Sequence, residues 1–172
     1  MLIRRDFVSL IGVRVAHRDG AGGTTILGRI VVEDCIGVRL MDLRVLRDTA
    51  LYAFPVGVTV RNPRSRNNAV LDLKTQCEMR RCRMEGSHVK AQNESRLEIY
   101  DTVIKGSEDY GVLSEFGADV LLFGSTKVAQ CNIGLLAHKI ERDCDDRAVV
   151  KQSTIRVLSN AVVVADLSLI HI

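Results

Sequence analysis

A seven-residue frame that recurs along the chain constrains the fold more than any other feature of the sequence. Its copies begin at residues 11, 36, 56, 87, 110, 133 and 160, and the first two are Ile11-Gly12-Val13-Arg14-Val15-Ala16-His17 and Ile36-Gly37-Val38-Arg39-Leu40-Met41-Asp42. The third position is Val or Leu in every copy, and the fifth is small or aliphatic. Two inward positions separated by one outward residue are typical of a β-strand, and an α-helix cannot present them. We therefore expect each copy to form a strand.

The spacing of the frames predicts a solenoid. Successive copies start 20 to 31 residues apart, and other short apolar segments lie between them, at residues 7–10, 30–32, 70–73, 97–99, 103–104, 120–122, 127–129, 149–150 and 155–158. One such coil cannot bury its apolar face alone, so stacking of successive coils has to supply the core. We expect about seven rungs, ~4.8 Å apart, in a rod roughly 30 Å long. Val13, Val38 and Val58 should then lie directly above one another.

The composition fits a single folded domain that covers residues 1–172. Apolar residues make up 47% of the chain and charged residues 26%, which excludes a disordered tail or a collagen-like repeat. No apolar run approaches the roughly 20 residues of a membrane-spanning helix, so no membrane partner is predicted. The net charge of +3 is too small to require a polyanionic partner.

The cysteines favour a reducing compartment. There are five of them, an odd number without the spacing of a disulfide framework, so we expect free thiols and an intracellular, cytoplasmic protein. Cys35 and Cys131 each precede a glycine-containing frame, and we interpret them as small buried residues of one stacked column. Cys77 and Cys82 have no second pair of ligands nearby. No metal site and no cofactor are predicted.

The end of the sequence has two interpretations. Residues 167–172 alternate as a final strand would, but they also resemble a translated adapter sequence. On the second interpretation the natural protein continues beyond Asp166, and the chain is truncated at one or both ends.

The repeat resembles a known family. Gly-Val-x-Val rungs with Asn62 and Asn93 at strand ends resemble the right-handed parallel β-helix, or pectin-lyase-like, superfamily, from about Asp6 to Asp166. Left-handed hexapeptide helices are the structural alternative, but the irregular steps disfavour them. The resemblance implies an all-β right-handed solenoid. It also implies that an enzyme of this kind would hold two or three acidic residues with arginine or lysine on one sheet face, to hydrolyse a glycoside or to abstract a proton from a uronate.

The fourth position of the frame predicts a binding surface. In order along the chain it reads Arg14, Arg39, Thr59, Lys90, Leu113, Leu136 and Val163. Stacked in register, these residues would form a cationic ladder followed by an exposed apolar strip. The first hypothesis is a non-catalytic module that presents this face to a protein partner, to a larger assembly or to an acidic polysaccharide. Solvated arginines on a polar face are the alternative. Nucleic acid is disfavoured because the basic segment from Arg61 to Lys90 contains no aromatic residue.

Catalysis is the second hypothesis. The candidates for a polysaccharide lyase or glycoside hydrolase are Asp42, Arg39 and His17, which the frames place on one face. A two-carboxylate mechanism needs a second acidic residue beside Asp42, and the frames supply none. The sequence therefore favours a binding role over an enzyme.

Overall fold

The structure is a computed structural model that describes residues 1–12, 24–47, 57–62, 75–138, 153–158 and 162–164. Residues 162–164 are described by their backbone alone. Within these residues the regular structure consists of eighteen short β-strands, numbered β1 to β18 in chain order, which form three sheets. The first sheet contains β1 (Leu2–Ile3), β4 (Ile30–Glu33), β7 (Val58–Arg61), β10 (Val89–Gln92), β13 (Tyr110–Glu115) and β16 (Ile133–His138). The second contains β2 (Ser9–Ile11), β5 (Val38–Met41), β8 (Gln76–Arg80), β11 (Arg96–Tyr100), β14 (Asp119–Phe123) and β17 (Thr154–Val157). The third contains β3 (Thr24–Leu27), β6 (Leu43–Leu46), β9 (Arg83–Glu85), β12 (Val103–Lys105), β15 (Lys127–Ala129) and β18 (Val162–Val164).

The chain is an all-β parallel solenoid, as the repeat predicts. Every third strand returns to the same sheet and pairs in parallel with the strand of the previous coil. One strand from each sheet makes a rung, and the strands of the described residues stack six rungs deep, against seven expected. Parallel neighbours need a crossover connection, and the other two strands of each rung belong to it; the described residues of these connections contain no helix.

The valine column predicted from the frames is confirmed in the middle of the chain. Four consecutive frames lie in the first sheet, where direct partners join Val58, Val89, Val112 and Leu135. The strand before them in this sheet contributes Ile30 as the partner of Val58.

The prediction that every frame belongs to this column is wrong for the frames that begin at residues 36 and 160. Val38 lies in the second sheet opposite Cys77, and Val162 lies in the third sheet opposite Lys127. Val13 is outside the described residues. All three sheets use the same alternation of inward and outward residues, so a frame match does not reveal which sheet a strand joins.

The core is a continuous interior column between the three sheets. On the inner side of the second sheet, the stack consists of Leu40, Met79, Ile99 and Leu122. Each of these side chains is at most 1% exposed. Burial of one such side chain contributes about 1.5–3 kcal/mol, so each added rung stabilises its neighbours.

Left-handed residues make the corners sharp. Between the second and third sheets, successive rungs have a residue with φ between 48° and 61° at Asp42, Arg81, Asp101 and Gly124. Small polar side chains then fill the inside of this corner. The backbone N–H of Cys82 donates to Oγ1 of Thr102 at 3.2 Å, and the N–H of Thr102 faces Oγ1 of Thr126 at 3.4 Å. These contacts satisfy backbone groups that leave the sheets.

The two strand-end asparagines stack on each other. Asn93 donates from Nδ2 to the carbonyl oxygen of Asn62 at 3.0 Å, and Asn62 donates back to the carbonyl oxygen of Asn93. They occupy the corner between the first and second sheets in two successive rungs. This placement agrees with the turn position that the sequence resemblance implies.

The buried thiols are confirmed, but not as one column. Cys35 is 4% exposed and lies between β4 and β5, whereas Cys131 is 6% exposed and lies between β15 and β16. They therefore belong to different corners of the solenoid. Cys77 and Cys82 are also buried, and all four thiols are free.

Candidate functional site

The outer side of the second sheet brings charged residues of three rungs together. Arg39 of β5, Glu78 of β8 and Glu98 of β11 are direct partners in register. Their neighbours along each strand point inward and are buried, so these three side chains point outward. Strand spacing places the backbones of Glu78 and Glu98 about 4.8 Å apart. We call this surface, with the adjacent Arg80 and Arg96, the second-sheet face.

Each glutamate is held by cations. Nε of Arg39 lies 3.9 Å from Oε2 of Glu78, and Arg80 contacts Oε1 of the same carboxylate. Arg96 donates to Oε1 of Glu98 from Nε at 3.0 Å and from Nη2 at 2.7 Å. Like charges in directly opposite positions destabilise a sheet, and these arginines offset that repulsion. Three guanidinium groups against two carboxylates leave the face nearly balanced in charge.

An aromatic stack borders the carboxylates. The Tyr100 hydroxyl donates to Oε2 of Glu98 at 2.9 Å, and burial together with this hydrogen bond raises the pKa of Tyr100. The guanidinium carbon of Arg80 lies 4.2 Å from the centroid of the Tyr100 ring, and Phe123 stacks with that ring at 4.5 Å between centroids. Both faces of Tyr100 are thus covered, so its hydroxyl rather than its ring is available to a ligand.

A shallow pocket of about 130 Å³ opens between these side chains, lined by Gly37, Arg39, Gln76, Glu78, Arg96 and Glu98 among others. Pockets that enclose a small molecule measure about 300–1,000 Å³, so this one can hold only part of a ligand. It offers guanidinium donors and carboxylate acceptors side by side. The arginines are the more accessible groups, since the side chain of Arg39 is 60% exposed and that of Glu98 is 27% exposed.

The cationic ladder predicted from the frames is not present. Arg39 lies on the second sheet, whereas Thr59 and Lys90 lie on the first, and Arg14 is outside the described residues. Lys90 is paired there with Glu115 at 2.8 Å. The frames placed these residues in one column because sheets with the same alternation cannot be distinguished from the pattern alone.

The apolar strip is also different from the prediction. Leu113 and Leu136 are direct partners in the first sheet, as expected, but Leu113 is only 4% exposed. Val163 belongs to β18 of the third sheet. An exposed strip of three aliphatic residues is therefore not formed, and the binding role of Leu113, Leu136 and Val163 stays a prediction.

Of the three candidate catalytic residues, the two that the structure describes, Asp42 and Arg39, have different partners. Asp42 sits at the corner between the second and third sheets, where Arg81 binds its carboxylate with Nε at 2.9 Å and Nη2 at 2.8 Å. Arg39 faces Glu78 instead, and His17 is outside the described residues. The frames supply no acidic partner for Asp42; the structure instead brings two other carboxylates, Glu78 and Glu98, side by side next to Arg39.

Sequence reasoning missed this glutamate pair, although a signal for it exists. Residues 76–86 and 96–106 match at a constant offset of 20, which pairs Glu78 with Glu98 and Gly86 with Gly106. The frames are defined by glycine and valine, and residues 76–80 contain neither of these residue types.

The described residues contain neither a metal site nor a membrane-spanning helix, and the chain has no recognised relative. Among the described residues, no three His, Cys, Asp or Glu side chains meet as a metal site would require. The described part of the chain also contains no helix that is long and apolar enough to cross a membrane. No protein-family model matches the sequence, and no curated protein or solved structure is significantly similar to it.

Proposed function

We propose that this chain is a non-catalytic β-solenoid module that binds a carbohydrate chain on its second-sheet face. The observation that carries the proposal is the pocket in which Arg39 and Arg96 adjoin the Glu78–Glu98 pair. Sugar hydroxyl groups donate and accept hydrogen bonds, and charged donors and acceptors form the stronger ones. A polymer of one charge sign would instead meet repulsion from either the glutamates or the arginines.

The openness of the site favours a polymer over a small molecule. A pocket of about 130 Å³ cannot surround a ligand of drug-like size, whereas an extended chain needs only repeated contact with an exposed face. The solenoid presents a flat surface with equivalent positions about every 4.8 Å along its axis. We also propose that the chain belongs to the right-handed parallel β-helix superfamily; the three parallel sheets and the Asn62–Asn93 stack support this assignment.

The test is a screen of the protein against an array of neutral and uronate-containing oligosaccharides, followed by calorimetry on any ligand found. Glu98→Gln keeps the side-chain shape but removes the charge, and we expect it to weaken binding at least tenfold. Glu108→Gln is the matched control, because Glu108 also pairs with an arginine, at 2.6 Å, but is 73% exposed and lies away from the second sheet. No ligand on the array, or equal losses in the two variants, would contradict the proposal.

A glycoside hydrolase is the second candidate, and the spacing of the two glutamates favours it. Retaining enzymes hold their carboxyl groups about 5–5.5 Å apart, and side chains on strand positions whose backbones are about 4.8 Å apart can reach that separation. Glu78 and Glu98 would then be nucleophile and acid. Oligosaccharides from the array, incubated with the protein, should yield new reducing ends that Glu98→Gln abolishes. If ligands bind but give no product, the glycoside hydrolase is excluded and the binding module is the remaining candidate.

A further inference from the structure

The outer side of the third sheet carries an excess of positive charge. Arg44 of β6, Arg83 of β9, Lys105 of β12 and Lys127 of β15 lie on four successive rungs. Among the described strand residues of this sheet, Glu85 is the one carboxylate. We call these five residues the third-sheet cluster. Its span is about 14 Å, three strand spacings.

Three of the cations converge on Glu85. Arg44 donates from Nε to Oε2 of Glu85 at 3.0 Å, Arg83 donates from Nε to Oε1 at 2.6 Å, and Nζ of Lys105 lies 3.3 Å from Oε1. Both carboxylate oxygens are thus occupied, and in the part of the chain that the structure describes the three cations have more donors than these contacts use. Arg44 and Arg83 are direct partners in register, an arrangement that repels. A further anion would relieve that repulsion.

We propose that the third-sheet cluster binds the sulfate groups of a sulfated polysaccharide. Donors that approach one point from three strands suit an anion with three outer oxygens better than a carboxylate, which has two. Regular cations along four rungs suit a chain that carries repeated charges. The inference is independent of the second-sheet face.

The surroundings of the cluster disfavour other polyanions and protein partners. No outward position in the described strands of the third sheet holds an aromatic ring, so nucleic-acid bases would have nothing to stack on. Protein interfaces depend on buried aromatic and arginine anchors surrounded by apolar contacts. The described outward apolar residues of this face are Leu46, Val103 and Ala129, with Leu27 on the edge strand β3; none of them is aromatic, and charged residues separate Leu46 from Val103 and Ala129.

The experiment measures binding of the whole chain to dextran sulfate, with uncharged dextran and single-stranded DNA as the comparison polymers. We expect salt-sensitive binding of dextran sulfate that Lys105→Gln with Lys127→Gln weakens at least tenfold. Arg5→Gln with Arg156→Gln is the matched control, since both side chains are exposed, lie off the third sheet and remove the same charge. Lys127→Gln alone serves if the double variant does not fold, and we expect a smaller loss of about threefold. Glu85→Gln should strengthen binding, because it removes the competing anion.

Several results would overturn the inference. Absence of dextran sulfate binding at low salt is one, and equal losses in the cluster variant and the control are another. DNA binding as tight as dextran sulfate binding would overturn the polysaccharide assignment. Loss of carbohydrate binding in Glu98→Gln, with dextran sulfate binding intact, would show that the two faces act separately.

Discussion

At the scale of single residues, the close approach of neighbouring rungs explains why Gly57 occupies the second position of its frame. A Cβ atom added to Gly57 would lie 1.7 Å from the carbonyl oxygen of His88 in the next rung. The same oxygen accepts a hydrogen bond from the N–H of Val58 at 3.2 Å. Gly57 is therefore required by packing of backbone against backbone. Gly106 has φ near 70°, and an added Cβ there would meet its nearest atom at 3.6 Å.

These two glycines give a matched prediction. Gly57→Ala should lower the free energy of unfolding by about 3 kcal/mol or more. The added methyl group overpacks the contact, and the rung must move to relieve it. Gly106→Ala should cost only about 1–2 kcal/mol, the strain of a left-handed alanine. Urea denaturation of both variants measures the difference. Equal losses would show that the two rungs are not in contact at Gly57.

Glu85 gives a prediction about pH. Burial would raise the pKa of its carboxyl, but hydrogen bonds from Arg44 and Arg83 and the nearby positive charges lower it to about 2. A lowered pKa in the folded state stabilises the protein above the ordinary pKa of 4.5, and this stability is lost as pH falls through about 2. We expect the unfolding free energy to decrease between these values, and Glu85→Gln to flatten the decrease. Glu108→Gln is the control, and an equal flattening by both variants would be inconsistent with the assignment to Glu85.

At the scale of strands, the sequence predicts the alternation of inward and outward residues better than it predicts which sheet each strand joins. The frames correctly identify β7, β10, β13 and β16 as one column, because valine recurs at the same inward position in all four. Val38 and Arg39 fit the same frame but lie in β5 of the second sheet. Outward side chains carry no comparable pattern, since the core does not restrict them. The glycine-valine frames therefore do not reveal the Glu78–Glu98 pair, which the register shows directly.

The position of a strand in the stack sets the cost of truncating it. Ile99 of β11 is 0% exposed with rungs on both sides, whereas Val157 of β17 is 45% exposed. Ile99→Ala should lower the unfolding free energy by about 2–5 kcal/mol, because it leaves a cavity between rungs. Val157→Ala should cost less than about 1 kcal/mol, since little burial is lost. Guanidinium denaturation measures the unfolding free energies of both variants, analysed with one shared dependence on denaturant concentration. Equal costs would contradict the order of the strands.

At the scale of the whole molecule, the closed interior should protect the thiols. Cys35, Cys77, Cys82 and Cys131 are buried, and burial raises the pKa of Cys77 and raises that of Cys82 to about 11. Since the thiolate is the nucleophile, we expect these four cysteines to resist iodoacetamide in the native protein and to react in denaturant. Peptide mass spectrometry would identify each site. Rapid native alkylation of Cys77 would contradict a closed solenoid.

The register of the second sheet is the central claim, and engineered cysteine pairs test it most directly. Partners in adjacent parallel strands are within the roughly 4.4–6.8 Å between Cα atoms that a disulfide spans. We predict that Glu78→Cys with Glu98→Cys forms a disulfide on mild oxidation of the native protein, identified by peptide mapping. Arg39→Cys with Thr59→Cys, neighbours in the ladder that the frames alone predict, should remain unlinked. A disulfide in the second pair and none in the first would contradict the register, and with it the glutamate pair on which the proposed binding face depends.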